Sequence, residues 1–264
     1  MRLASSIAID PQESEALNTL LGLPTHHPSL TLPMLWLGKG AVPDHIRAMV
    51  GADHMALQEA QEFYYHRPLP QSGSLSAHIT VHTEDSADQN RLLLEASFND
   101  QDQHSILTLK TTLRIVPKPS TPPAAQTSSA KPRSQTVIEQ SLPPITQALI
   151  NHYAALSGDT NPVHLDEQAA RMLGLPAPIA HGMLLMGLTQ SGMAAHKVSL
   201  PAEEHAYYPL RFACRFLLPV PAGQICGLNR KQQSVEGRLS ERITLLSEAG
   251  PHVLAQLHYQ LAER

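Results

Sequence analysis

The segment SGDTNPVH, residues 157–164, places an Asp, an Asn, a Pro and a His within one short stretch. Pro162 fixes its own φ and disfavours helix at the preceding residue, while Gly158 permits a tight backbone path. These properties predict a rigid turn that brings the Asp159 carboxylate and the His164 imidazole together. A carboxylate beside an imidazole makes a usable acid–base pair near neutral pH.

The same composition also fits an ordinary connector between two helices. In that interpretation Asp159 caps a helix and His164 is solvated. Asn161 could orient the loop in either case, because its side chain can bond to nearby backbone groups. The surrounding sequence decides between the two interpretations.

The longer segment YAALSGDTNPVH (153–164), followed by Ala170, resembles the signature of the MaoC-like, (R)-specific enoyl-CoA hydratases. These enzymes are also called hydratase 2, and they have the hot-dog fold. All fixed positions of that signature are occupied here. The motif is long and specific, so it outweighs the connector interpretation.

Further segments extend the resemblance on both sides. IAHGMLLMGL (179–188) resembles the entry into the central hot-dog helix, and RFACRFLLPVPAG (211–223) resembles the strand that follows it. EAQEFYYHRPLPQSG (59–73) resembles the N-terminal hot-dog of two-domain MaoC-like dehydratases, which keeps the fold without the catalytic motif. The first half contains no second copy of Asp-x-Asn-Pro-x-His.

The resemblance implies an α+β double hot-dog, in which each half is a long central helix wrapped by an antiparallel sheet. We expect a degenerate N-terminal hot-dog at 1–116 and a catalytic MaoC-like hot-dog at 135–264. Between them, PKPSTPPAAQTSSAKPRS (117–134) is rich in proline and serine and has almost nothing to bury. Such stretches act as stiff, extended linkers.

Residue patterns independently suggest a duplication. RPLPQSGSLSAHITV (67–81) and LPVPAGQICGL (218–228) share a Pro-x-Pro entry, a Gly and then apolar residues. Each precedes two segments of period-2 alternation that predict a hairpin, at 92–98 with 105–116 and at 238–247 with 252–262. The shared order of these parts favours two related halves.

Helical spacing appears upstream of the second β-rich tail. Apolar residues recur at helical intervals over 143–156, and Asp166 is suited to cap a short helix ending near Gly174. The segment 179–198 is apolar on most faces, which predicts a buried helix. Its methionines, Met183, Met186 and Met193, are expected to fill the core.

The resemblance also assigns chemistry to residues. Asp159 and His164 together would activate water for addition to a trans-2-enoyl thioester, which gives an (R)-3-hydroxyacyl thioester. The backbone N–H of Gly182 would polarise the thioester carbonyl. Asn161 and His181 are further substrate-binding candidates, although His181 could instead make a local hydrogen bond. Which member of the Asp–His pair is base and which is acid stays open.

The expected partner is an acyl-CoA or acyl-carrier-protein thioester. Its pantetheine arm would lie between the halves, and loss of the catalytic loop from the first half would free space for a longer acyl chain. Arg211 and Arg215 could meet carrier phosphates or simply be solvated. A homodimer of double hot-dogs is a candidate assembly.

Composition excludes several other classes. The formal net charge is -4 and 16% of the residues are charged, with no basic stripe, so no nucleic-acid partner is expected. No apolar run reaches membrane-spanning length and no signal peptide is evident, which predicts a cytoplasmic protein without a membrane partner. The 15 histidines show no metal-ligand spacing, so neither a metal nor a cofactor is predicted. Cys214 and Cys226 are expected to be buried free thiols.

Two alternatives remain beside the hydratase hypothesis. One is a thioesterase on the same fold, although such enzymes place their acidic residue differently and lack Asn-Pro-x-His. The other is a catalytically silent acyl-binding or assembly subunit. The intact Asp159 and His164 argue against silence.

Overall fold

The computed structural model describes residues 2–24, 28–38, 41–86, 89–119, 138–197, 207–235 and 238–261. Within them the helices are α1 (Pro11–Leu21), α2 (Pro33–Gly38), α3 (Ala41–Val50), α4 (Gln147–Ser157), α5 (Pro162–Leu165), α6 (Glu167–Met172) and α7 (Gly182–Lys197). The strands are β1 (Arg2–Ile9), β2 (His54–Tyr65), β3 (Gly73–Ser86), β4 (Gln89–Asn99), β5 (Ser105–Pro117), β6 (Gln140–Ser141), β7 (Tyr207–Phe216), β8 (Gly227–Val235), β9 (Arg238–Ser247) and β10 (Gly250–Leu261).

The described strands form one antiparallel sheet in the order β1-β3-β4-β5-β2-β7-β10-β9-β8-β6. Strands β2 and β7 pair at its centre, from Ala60 opposite Arg215 to Tyr64 opposite Arg211. Counted outward from this seam, the first half runs β2-β5-β4-β3-β1 and the second runs β7-β10-β9-β8-β6. This repeated order confirms the predicted double hot-dog.

Both predicted hairpins are present. β4 pairs with β5, and β9 pairs with β10, each in antiparallel register. Alternation explains why they form, since Leu239, Ile243 and Leu245 on β9 are all buried on one face. The side chains of both halves merge into a single hydrophobic core.

The second-half helices follow the sequence pattern with one shift. The helix expected over 143–156 begins only at Gln147, because prolines precede it and Thr146 supplies the N-cap by accepting a hydrogen bond from the Leu149 N–H. Asp166 caps α6 as predicted. The buried helix is α7, which packs against β9 and β10.

The first half carries shorter helices. The helix that precedes its β-rich part, α3, has 10 residues and buries only Val42, whereas α7 has 16 residues. Met183 and Met186 on α7 are buried, as predicted, and the side chain of Met193 lies outside the described set. The long central helix is therefore a feature of the second half.

Strand β1 was not anticipated from the sequence. Its residues pair with β3 from Arg2 opposite Thr80 to Ile9 opposite Gly73. Only Ile9 of this strand is buried, so its stability comes from the ladder hydrogen bonds of an edge strand more than from core packing.

Three other expectations concern the linker, the cysteines and the membrane. Residues 120–137, most of the expected linker, lie outside the described residues, and β5 extends to Pro117. Cys214 and Cys226 are buried and free, as predicted. Among the described helices, none combines the length and the apolar character needed to cross a membrane.

Candidate active site

The loop after α4 is shaped by a left-handed glycine. Gly158 has φ 74° and ends α4 with its N–H bonded to the Ala154 carbonyl. The next N–H, that of Asp159, donates to the Ser157 Oγ at 3.2 Å. Asp159 Oδ1 accepts from the Asn161 N–H at 3.2 Å, so one carboxylate oxygen holds the turn and Oδ2 is left for chemistry.

His164 lies on the single turn of α5. Pro162 occupies the first position of this helix, and Asn161 caps it by accepting from the Val163 N–H at 3.3 Å. A helix of this length is not stable alone, so contacts with the chain that follows it must hold α5 in place. Val163 supplies one of these, because its carbonyl accepts from the Ile179 N–H at 3.2 Å.

The two predicted catalytic side chains meet. His164 Nε2 lies 4.0 Å from Asp159 Oδ2, and the two side chains are 11% and 53% exposed. The separation is too long for a direct hydrogen bond, but a water molecule can bond to both atoms across such a gap. The pair is therefore arranged to hold a water at the solvent-facing side of a buried imidazole.

The hydrogen bond of the other ring nitrogen sets the protonation of His164. Its Nδ1 is 2.8 Å from the Ile179 carbonyl, which can only accept, so Nδ1 carries the hydrogen and Nε2 carries the lone pair in the neutral ring. Burial lowers the pKa of His164, against the opposing attraction of the Asp159 carboxylate. The imidazole is thus a proton acceptor directed at the water site.

His181 packs directly against this ring. The two imidazoles are stacked, with their ring centroids 3.8 Å apart. The Tyr153 ring also packs against His181, at 5.0 Å between the ring centroids. His181 Nε2 donates to the Asp159 carbonyl at 3.0 Å, while its buried Nδ1 has no partner among the described residues. Burial, with the added effect of His164, lowers the pKa of His181 to about 4, so it stays neutral.

Gly182 begins α7 immediately after His181. The first intrahelical bond of α7 runs from the Leu185 N–H to the His181 carbonyl at 3.1 Å, so the N–H groups of Gly182 and the next two residues have no intrahelical partner. They also lie at the positive end of the helix dipole. This end of α7 is suited to bind a carbonyl oxygen that gains negative charge.

The structure thus brings Asp159, His164 and His181 into contact, with Gly182 next in the chain. Asn161 is exposed and serves as the cap of α5. Arg211 is bonded to Glu62 at 2.6 Å across the seam, so a carboxylate already occupies its guanidinium. Arg215 is exposed.

Two residues of the first half reach the site without having been predicted from the sequence. A Cβ at Gly38 would lie 2.2 Å from the Ser157 carbonyl oxygen, so the end of α2 touches the start of the 157–164 loop. Gln58 lies against Gly182, where its Oε1 is 2.9 Å from a Cβ placed on that glycine. Both contacts join distant parts of the chain, so no local sequence pattern signals them.

Two groups of side chains could hold a metal ion among the described residues. Asp159, His164 and His181 each offer a ligand atom, and these atoms lie within 4.8 Å of one another. Two imidazoles and a carboxylate are a donor set that suits zinc. The second group, Asp100, Asp102 and His104, lies in the turn between β4 and β5 and is largely exposed.

Known sequences match the second half of the chain. Residues 128–240 match the sequence profile of the MaoC like domain. The 3-hydroxyacyl-thioester dehydratase X of Mycobacterium tuberculosis is 35% identical over 129 residues, which cover 47% of this chain and 41% of that protein. The alignment therefore spans less than half of that relative's length.

Solved structures match nearly the whole chain. HtdX of Mycobacterium tuberculosis superposes with a TM-score of 0.70 at 23% identity, covering 97% of this chain and 99% of that chain. A MaoC-like dehydratase gives 0.78 at 17% identity, covering 99% and 98%. At these identities the likeness establishes the fold. Residues 128–240 are in addition similar in sequence to the MaoC like domain.

Proposed function

We propose that the protein catalyses the reversible hydration of trans-2-enoyl thioesters to (R)-3-hydroxyacyl thioesters. The observation that carries this proposal is the Asp159–His164 pair, whose facing atoms are 4.0 Å apart near the first N–H groups of α7, which have no intrahelical partner. The name of the M. tuberculosis relative, a 3-hydroxyacyl-thioester dehydratase, supports the same reaction class. In this proposal the second half, 135–264, contributes the residues that react with the substrate, and the first half contributes contacts that hold them in place.

Gly182 would bind the thioester carbonyl. Hydration makes C3 accept the water oxygen while negative charge grows on the carbonyl oxygen. An N–H at a helix N-terminus stabilises that charge, and removal of one such donor in other enzymes costs about 100- to 1000-fold in rate. The dry surroundings of α7 strengthen the effect, since Met183 and Leu184 are buried.

The Asp–His pair would activate the water. His164 Nε2 takes a proton from the water as its oxygen bonds to C3, and the π electrons of the C2–C3 bond move toward C1. Asp159 Oδ2 accepts the second hydrogen bond of the water and orients it. The imidazolium then returns the proton to C2, so atoms and charges balance, and dehydration is the reverse path.

The acyl group would be carried by CoA or by an acyl-carrier protein, both of which end in pantetheine. The first half has no second copy of the Asp-x-Asn-Pro-x-His sequence, and the acyl chain would extend into the space beside its helices. Rates that do not change from short to long enoyl chains would contradict this use of the first half.

The test is a hydration assay with crotonyl-CoA, longer enoyl-CoAs and enoyl-carrier substrates, following loss of enoyl absorbance. We expect turnover in the wild-type protein, and chiral analysis of the product should give the (R)-alcohol. Release of free thiol without loss of the enoyl group would instead identify a thioesterase. Binding without any turnover would indicate a silent acyl-binding subunit.

A further inference from the structure

A buried polar network lies on β2 and β5 of the first half. Gln61 is fully buried on the same face as Phe63 and Tyr65, and Thr111 is 5% exposed beside it. Thr111 Oγ1 donates to Gln61 Oε1 at 2.7 Å. Polar groups in a core cost free energy unless they are bonded, so this network fixes the orientation of the Gln61 amide.

A β-bulge adds Gln58 to the network. The register of β2 against β5 shifts between Gln58 and Ala60, which leaves Glu59 as an extra residue. In an uninterrupted strand, residues three apart face opposite sides, so the bulge is what turns Gln58 to the face of Gln61. Glu59 points to the other face, where it binds Arg91 at 2.7 Å.

The network determines which end of the Gln58 amide faces α7. Gln61 Oε1 can only accept, and Gln58 Nε2 donates to it at 3.1 Å. Gln58 Nε2 also lies 3.4 Å from the Met183 sulfur. The Oε1 of Gln58 therefore faces Gly182. It lies 2.9 Å from the position that a Cβ on Gly182 would occupy. An acceptor supplied by the first half stands beside the proposed carbonyl-binding N–H group.

We propose that Gln58 positions the substrate by accepting a hydrogen bond from the first amide N–H of the pantetheine arm. This inference rests on the proposed function. An acceptor needs a donor, and the enoyl group itself has no N–H or O–H before water is added. The pantetheine amide, four bonds from the thioester carbonyl carbon, is the nearest donor that CoA and carrier-protein substrates share. The silent half thereby recognises the carrier while the other half performs the reaction.

Two small thioesters test this assignment. Crotonyl-N-acetylcysteamine keeps the amide N–H, and crotonyl S-(4-oxopentyl) thioester replaces that N–H by a methylene group. The ratio of their kcat/KM values for hydration isolates the hydrogen bond. In the wild-type protein we expect the amide to be preferred about two- to tenfold, the range of a single neutral hydrogen bond.

Gln58→Leu removes the acceptor, and Gln58→Asn retracts it by one methylene while keeping the amide. We expect both variants to raise KM for the amide substrate, to leave kcat nearly unchanged and to bring the ratio close to one. The matched control is Gln232→Leu, an exposed glutamine on β8, which should keep the wild-type ratio. Thermal unfolding of each variant checks that it is folded.

The outcomes separate the two proposals. Wild-type hydration with no preference for the amide, or an undiminished preference in Gln58→Leu, overturns the role of Gln58 and leaves the hydratase proposal standing. Absence of hydration of both compounds and of crotonyl-CoA by the wild-type protein overturns both.

Discussion

The two halves each end a helix at a left-handed glycine and continue differently beyond it. α1 and α4 both span 11 residues, and each ends at a glycine in the left-handed conformation, Gly22 with φ 66° and Gly158 with φ 74°. The residue that follows is Leu23 in the first half and Asp159 in the second. Leu23 is 7% exposed and belongs to the core, whereas the Asp159 side chain is 53% exposed. Directly after the glycine, the first half therefore packs Leu23 into the core, whereas the second half exposes the Asp159 carboxylate.

The first half still takes part in the site. Three of its elements touch the catalytic half: Gly38 meets the loop at Ser157, Gln58 meets Gly182, and Leu21 meets Gly187 on α7. These contacts give the first half a structural role beside the candidate site, to which the proposed Gln58 contact would add substrate recognition. The predictions below separate the reactive residues of one half from the supporting residues of the other.

Removal of the reactive groups should have the largest effect. Asp159→Asn and His164→Gln should each lower kcat for enoyl-thioester hydration by about 100- to 10,000-fold, the range of general acid–base catalysis. The matched control in the first half is Asp44→Asn, an exposed carboxylate on α3, for which wild-type kinetics are expected. Comparable losses in the control would remove the distinction between the halves.

Substitution of two of the three glycines of α7, Gly182 and Gly187, should separate catalysis from packing. A Cβ at Gly182 would meet Gln58 and the Phe216 ring at 2.9 and 3.0 Å, so Gly182→Ala displaces the carbonyl site. We expect a loss of about 100-fold in kcat, since small misplacements of reacting groups cost this much.

Gly187→Ala is the control, because the atoms nearest to its Cβ, at 2.7 Å, belong to the flexible Leu21 side chain. It should lower the melting temperature and leave kcat near the wild-type value. Equal losses of kcat in both variants would indicate that α7 acts only as a packing element.

Gly38 tests whether the first half supports the catalytic loop. Gly38→Ala would place a Cβ 2.2 Å from the Ser157 carbonyl, and that backbone must move. Steady-state kinetics should show a fall of about tenfold in kcat. Gly22→Ala has open space around its Cβ but a positive φ, so it should cost about 1 kcal/mol of unfolding free energy without a change in kcat. Unchanged kinetics in Gly38→Ala would contradict the supporting role.

The pH dependence should give the smallest effects. Because burial lowers the pKa of His164, kcat/KM should stay nearly constant near neutrality and fall on the acid side with a midpoint below 6.5. Burial also lowers the pKa of His181 and His252, so the folded protein binds fewer protons than the unfolded chain. The free energy of unfolding should therefore be fully present above about pH 6.5 and fall as the pH drops toward the folded pKa values.

Denaturant titrations at several pH values measure this dependence. His164→Gln should flatten part of the slope, since it removes one of the four histidines, His164, His181, His252 and His258, whose pKa burial lowers. An acid limb with a midpoint above 6.5 in the kinetics would contradict a neutral, buried His164.

The sequence was sufficient for the features that rest on local patterns. Period-2 alternation predicted the β9–β10 hairpin, and the Gly158–Pro162 turn predicted that Asp159 and His164 would meet. It was insufficient where distant residues make contact: Gln58 and Met183 are separated by 125 positions, and only the paired sheet brings them together. The edge strand β1 was not predicted because five of its eight residues are exposed, so its apolar alternation is weak.

The most direct test of the account is the number of substrate molecules bound per chain. Isothermal titration with butyryl-CoA, whose saturated acyl chain cannot be hydrated, measures this stoichiometry without turnover. A single site, formed by the second half with support from the first, predicts one equivalent per chain. Two equivalents per chain would show that both halves bind substrate and would contradict the division of roles between them.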